Sequence, residues 1–169
     1  MRRLRGALAL AALLSAGCKV FAPPPPALIL APKLADCPGT LVPTQELEGD
    51  WVIQERARIF APRVDEAYEL VLQKRGPSLV LVGLTAYGAK AFAVTQIGVR
   101  TFPESFLPSP PVPPENVLRD LHRAHFLASE SPEFEGRVLE RGRDGGVRIQ
   151  SSACGYDATY VPVQVTAPK

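Results

Sequence analysis

Proline falls in two dense groups in this chain, and they limit where regular structure can form. Pro23 to Pro26 run without a break, followed by Pro32, Pro38 and Pro43; a second group, PESFLPSPPVPP, spans Pro103 to Pro114. Each proline fixes φ and removes a backbone donor, so neither stretch can build a helix interior or a central strand. The first reads as a semi-rigid extended spacer from Lys19 to about Thr44. The second reads as a stiffened loop with Phe106 and Leu107 expected at the surface. Regular structure is left to the segments after each.

What precedes the spacer explains it. Arg2, Arg3 and Arg5 form a basic head, and Gly6 to Gly17 carries no charge and is mostly Ala and Leu. A membrane-spanning helix needs about twenty apolar residues, and this run is about a dozen. Basic head, short apolar run and small residues before a break describe a secretory signal peptide over residues 1–17. Leu14-Ser15-Ala16-Gly17-Cys18 resembles the bacterial lipobox. That resemblance implies cleavage after Gly17, a diacylglyceryl thioether on Cys18 and acylation of the new terminus; ordinary cleavage beside an incidental cysteine is the alternative. A multiply acylated Cys18 would hold the mature protein on a leaflet without a spanning helix. The location implied is the bacterial cell envelope, lipid-anchored and periplasm-facing. Lys19 after the cysteine favours the outer membrane under the enteric sorting rule.

Charge follows the same division. The chain has 19 Lys+Arg and 17 Asp+Glu, and subtracting the three signal arginines leaves 16 against 17. A near-neutral body without a basic run argues against an electrostatic nucleic-acid binder. Apart from Cys18 the cysteines are Cys37 and Cys154. An even pair in an exported chain reads as a disulfide, with two thiols that never meet as the alternative.

Between Gly49 and the second proline group the pattern alternates with period two. Trp51, Ile53, Ala57 and Ile59 share a face that Glu55 interrupts; Tyr68, Leu70 and Leu72 follow. SLVLVGL (Ser78 to Leu84) is apolar on both faces, as a central strand is. GAKAFAVTQIG supplies a fourth strand, GRVLERGRDGGVRIQ a hairpin turning at Asp144-Gly145, and YDATYVPVQV a last strand in which Pro162 marks an edge or bulge. One helix interrupts them. PPENVLRDLHRAHFLA starts on proline, with Val117, Leu118, Leu121, Ala124 and His125 on one stripe opposite Arg119 and Arg123. Six or seven strands with one amphipathic helix predict an α+β domain over 45–169, a curved antiparallel sheet packed around the helix.

LVLVGLTAYGAKAFAV, LPSPPVPPENVLRDLHRAHF and GYDATYV resemble, over about Trp51 to Val165, a family of uncharacterised bacterial lipoproteins. Its fold is that of the outer-membrane receptor LolB and the periplasmic carrier LolA. The resemblance implies an incomplete β-barrel whose concave face, plugged by helix, binds acyl chains. It also implies an apolar residue on a protruding loop, for which Leu84 is the candidate by its turn position. The several helices of the LolA lid have no counterpart in this shorter chain, which argues against a carrier.

Catalytic signatures are missing from the sequence: no phosphate-cradling Gly-rich loop, no G-x-S-x-G, no S-x-x-K, no H-E-x-x-H. His122 and His125 could share a metal only with a third ligand that no spacing supplies; packing of one and solvation of the other is the simpler reading. Ala89, Ala91 and Ala93 form a stripe of small residues that either admits the helix or leaves an apolar cavity. Trp51, Phe92, Val94, Leu118 and Leu121 would line such a cavity, or serve as plain core. The expectation is a non-enzymatic protein without a cofactor beyond its covalent acyl anchor. It would bind acyl chains, lipids or lipidated clients; the alternative is an assembly protein holding an envelope partner.

Overall fold

The computed structural model describes residues 34–107, 111–127 and 130–166. The segment read as a signal peptide, Cys18 and the four-proline run lie outside them.

Five strands come first: β1 (Trp51–Ala61), β2 (Val64–Arg75), β3 (Ser78–Thr85), β4 (Lys90–Ile97) and β5 (Arg100–Ser105). The helix α1 (Pro114–His125) follows, then β6 (Glu133–Phe134), β7 (Arg137–Arg141), β8 (Val147–Ser151) and β9 (Tyr156–Thr166). All pair antiparallel in one nine-stranded sheet, ordered β5-β4-β3-β2-β1-β9-β8-β7-β6. The sheet is not closed; β5 and β6 are its edges. Among the described residues, no helix is long and apolar enough to cross a membrane.

The expected α+β architecture holds at this level, with nine strands rather than the six or seven expected. β5 occupies part of the stretch read as a proline loop. Its Pro103 lies opposite Val94 on a strand whose other side is free, the position in a sheet that tolerates a missing donor. β6 is only two residues long and too short to leave a period. Pro162 sits where β1 and β9 shift register beside Gln54 and Glu55, past the last residue that β8 pairs. It is therefore at a bulge and on a half-free strand at once.

One face of the sheet is the core. Ala57, Ile59, Tyr68, Leu70, Leu72, Leu79, Leu81, Phe92 and Val94 come from its first half, and Val147, Ile149, Tyr156, Ala158 and Tyr160 from its second. α1 lies against both halves at once. His122 bonds Gln96 on β4 while Asp120 bonds Arg137 on β7 and Tyr160 on β9, so the sheet curves around the helix.

The helix starts as its sequence suggests, with Pro113 as N-cap, Pro114 at its first position and Glu115 in its first turn. Its burial goes further. Val117, Leu118, Leu121 and Ala124 are buried as expected, but so are Asn116, Asp120, His122 and Arg123. The second side is covered by residues 34–47, which run along the helix. This segment contributes Cys37, Thr44 and Leu47 to the buried set, with Leu34, Leu41 and Val42 packed on the core. The proline-rich spacer expected over 18–44 thus has a packed portion, and the folded part reaches back at least to Leu34.

Register fixes two ends. The β1–β2 turn at Pro62-Arg63, the β3–β4 turn at 86–89 and the Ser151–Tyr156 segment lie at one end, with the start of α1. The turns at Gly76-Pro77, Gly98-Val99 and 142–146 lie at the other, with the end of α1. The packed arm runs from the first end to the second. Leu34 N–H bonds Pro111 O just before the helix, and Thr44 exchanges bonds with Gly98 at the far end.

Candidate functional site

The disulfide expected from the cysteine count is present. Cys37 and Cys154 are bridged with their Cα atoms 5.6 Å apart, joining the arm to the 3-10 turn between β8 and β9. The bridge closes a loop of 117 residues. Beside it Cys37 N–H donates to Asn116 Oδ1 at 2.8 Å, and the Asn116 amide donates back to Ala35 O at 2.9 Å. Arg119 donates to Cys37 O and to Asp36 Oδ1.

Four of the five residues proposed to line an apolar cavity are close-packed core. Phe92, Val94 and Leu118 are 0% exposed and Leu121 is 1% exposed. Phe92 is held edge-on to Tyr68, with ring centres 5.3 Å apart, and its ring lies over Gly83, where a Cβ would stand 2.4 Å from it. A glycine inside the apolar strand SLVLVGL was the available signal for that close approach. The alanines do not form one stripe. Ala89 is exposed in a turn, and Ala91 is buried where β3 and β4 shift register. Ala93, opposite Val82, shares the outer face of β4, whereas Gln96 on the inner face meets α1.

Trp51, the fifth, is only half-buried. It packs on Phe126 just past the helix, ring centres 5.6 Å apart, with Ile53 beside it on the same face of β1. Phe126 also stands edge-on to His122 at 5.0 Å and near His125 at 6.0 Å. This cluster is an apolar rim at the second end of the sheet, where the inner face meets solvent. Leu84, offered as the protruding loop residue, lies inside β3 and is half-buried. The tip of that hairpin is Tyr87, 98% exposed.

The two histidines have separate tasks. His122 accepts Val42 N–H on Nδ1 at 3.0 Å, so its proton is on Nε2, which donates to Gln96 Oε1 at 2.8 Å. The Gln96 amide then donates to Val42 O and Gly98 O, closing a ring of bonds between arm, helix and β4. Burial, with some repulsion from His125, pushes the His122 pKa down to about 4. Protonation would destroy the acceptor that Val42 needs. His125 meets Glu55 at 3.0 Å. Glu55, the residue that broke the alternation of β1, is therefore truly inward, 4% exposed, with its second oxygen unbonded.

A larger polar cluster lies beneath the arm, and sequence reasoning did not find it. Asp120 Oδ1 accepts from Arg137 Nε at 3.1 Å, and Oδ2 accepts from Tyr156 at 2.9 Å and Tyr160 at 2.8 Å. Arg137 also reaches Pro38 O on the arm. Burial holds the Asp120 pKa above the ordinary carboxylate value against the pull of Arg137 and the two hydroxyls. It also drives both phenols well above their usual range, the neighbouring carboxylate adding to the effect. Both oxygens of Asp120 are bonded, so the cluster fixes the helix on β7 and β9, and Arg137 Nη2 is left without a partner among the described residues. The only signal for it was an acid between two buried leucine positions in Val117-Leu118-Arg119-Asp120-Leu121.

Compared with known proteins, the chain matches no protein-family model and no curated sequence.

Proposed function

We propose that the protein is a lipid-anchored envelope protein, held by acylated Cys18, whose LolB-like domain binds acyl chains or lipidated clients and performs no catalysis. The observation that supports this most is the half-buried rim of Trp51, Ile53 and Phe126 at the open end of the inner face. A dry apolar groove beside an unclosed sheet is what an alkyl chain needs, at about 0.8 kcal/mol per buried methylene. The interior around Phe92 and Leu118 is filled, so a chain would enter by lifting Phe126 from Trp51 and lie along the rim. His122 beneath Phe126 is held neutral, while buried Glu55 and Lys74 flank the path on the same face.

Trp51 is the chain's single tryptophan and sits in the path. Titrating the protein with a long-chain fatty acid should shift Trp51 emission to the blue and saturate, and Phe126→Ala should change the affinity. Emission that stays constant while the added lipid remains unbound would overturn the acyl-binding reading.

A second reading rests on β5. This edge strand has a free side and carries Phe102 half-exposed on the outer face, a place where a partner strand could add. Crosslinking in the envelope that recovers one protein partner through β5, with no lipid retained, would favour that reading.

A further inference from the structure

We infer that the end of the domain from which the tether leaves is a lipid-surface docking face, with Phe60, Tyr87 and Phe106 set to enter the bilayer interface. The inference rests on the lipid-anchored reading and adds an orientation to it.

Three of the four exposed aromatic residues among the described residues lie at that end. Phe60 is the penultimate residue of β1, Tyr87 is the tip of the β3–β4 turn, and Phe106 follows β5, its N–H bonded to Ala91 O. They come from different hairpins, and the sheet order spreads them across β1 to β5. Of the exposed aliphatics, Ile97 and Val99 are at the opposite end, and Val161 and Val163 lie along β9. Aromatic side chains with a polar margin are the residues that membrane–water interfaces favour.

Two of the three carry a cation on the ring. The Arg58 guanidinium lies 4.6 Å from the centre of Phe60, and Lys90 Nζ lies 4.2 Å from the centre of Phe106. Arg58 is already paired with Asp65, while Lys90 has no ion pair among the described residues and is free for a lipid phosphate. An apolar ring backed by an ammonium presents both halves of an interfacial contact, hydrocarbon for the ester region and charge for the head group.

The exit of the chain names the partner. Leu34 is bound to Pro111 at this end, so residues 18–33 start from the same side as the three rings. Fully extended, that stretch reaches at most about 55 Å. Anchoring through Cys18 therefore makes contact with the lipid surface intramolecular, and even a weak aromatic contact is populated at high effective concentration. Docking there also leaves the Trp51–Phe126 rim facing away from the anchor leaflet.

The test uses the acylated full-length protein in vesicles of phosphatidylethanolamine and phosphatidylglycerol, with and without lipids brominated near the head group. In the wild type the only emitter, Trp51, is at the far end and should keep its emission. Tyr87→Trp adds a second emitter at the docking end, and the added emission should be lost to the brominated lipid. Phe106→Trp should behave in the same way. Vesicle-bound protein whose added tryptophan escapes quenching, or whose Trp51 is quenched instead, would overturn the docking face and leave the anchor standing. Protein that does not float with the vesicles at all would overturn both.

Discussion

The two sides of α1 are both buried, and by opposite means. Toward the sheet the helix offers Val117, Leu118, Leu121 and Ala124, which need only be covered. Beside that stripe it offers Asn116, Asp120 and His122, each of which must meet a particular partner on the arm, β4, β7 or β9 at a particular distance. Apolar burial is non-directional and supplies most of the stabilising energy. The polar side contributes little net energy once desolvation is counted, but a misplaced helix there would strand a buried charge. We read the first side as what makes the helix stay and the second as what decides where it stays.

Reducing the disulfide is the strongest way to disturb the polar side. The arm would be held by its hydrogen bonds and a few apolar contacts alone. Chain-entropy arguments put the lost stability at about 4–5 kcal/mol for so long a loop. Urea denaturation with and without reductant measures it. Hydrogen exchange should show the amides of Cys37 and Val42 losing protection before those of β1 to β4. Equal loss everywhere would mean that the arm is not a separate layer.

Asp120→Ala and Leu118→Ala set the two sides against each other. The first leaves Arg137 buried without its carboxylate and two tyrosine hydroxyls without an acceptor, and should cost about 3–5 kcal/mol. The second opens a cavity and should cost about 2–5 kcal/mol. The totals overlap, and the distinction is in kind. Asp120→Ala should disorder the contacts with β7 and the arm in NMR spectra, whereas Leu118→Ala should lower the melting temperature with every contact retained.

Acid should weaken only the polar side. The imidazole of His122 titrates near 6.5 in the unfolded chain and at about 4 in the fold. The folded protein thus resists protonation. The His122 contribution is whole above pH 6.5 and drains as the pH falls to about 4, by about 3 kcal/mol in all. Asp120, raised by burial, works in the opposite sense. The difference between wild type and His122→Gln across that window is therefore the quantity to read, and a flat difference would show that His122 is not the titrating group.

The same contrast explains what could be read from the sequence. Alternation in β1 and β2, the doubly apolar β3, the Asp144-Gly145 turn, the helix and the Cys37–Cys154 bridge were all legible, because each follows from a local period or a residue count. The polar layer was not. A 3.6-residue stripe shows which side of a helix meets a core, and it is silent on whether the other side is covered too. Nothing in the stripe pointed to partners for Asn116, Asp120 and His122. Prolines made residues 34–44 look like free tether, although Cys37 in their midst was a sign that this stretch must return to the domain. Pro103 concealed β5 in the same manner. Among the candidate site residues, Trp51 alone stands at an opening; Phe92, Val94, Leu118 and Leu121 carried the hydrophobicity of a pocket and are the core itself.

Everything functional depends on how the tether ends. The most direct measurement is intact mass spectrometry of the protein extracted from membranes in mild detergent. We expect a chain beginning at Cys18, heavier by a diacylglyceryl group and an N-acyl chain, lighter by two hydrogens for the bridged cysteines, and accompanied by a non-covalent acyl ligand. A soluble product whose Cys18 bears a free thiol would contradict the lipid-anchored reading, and the proposed binding and docking roles would fall with it.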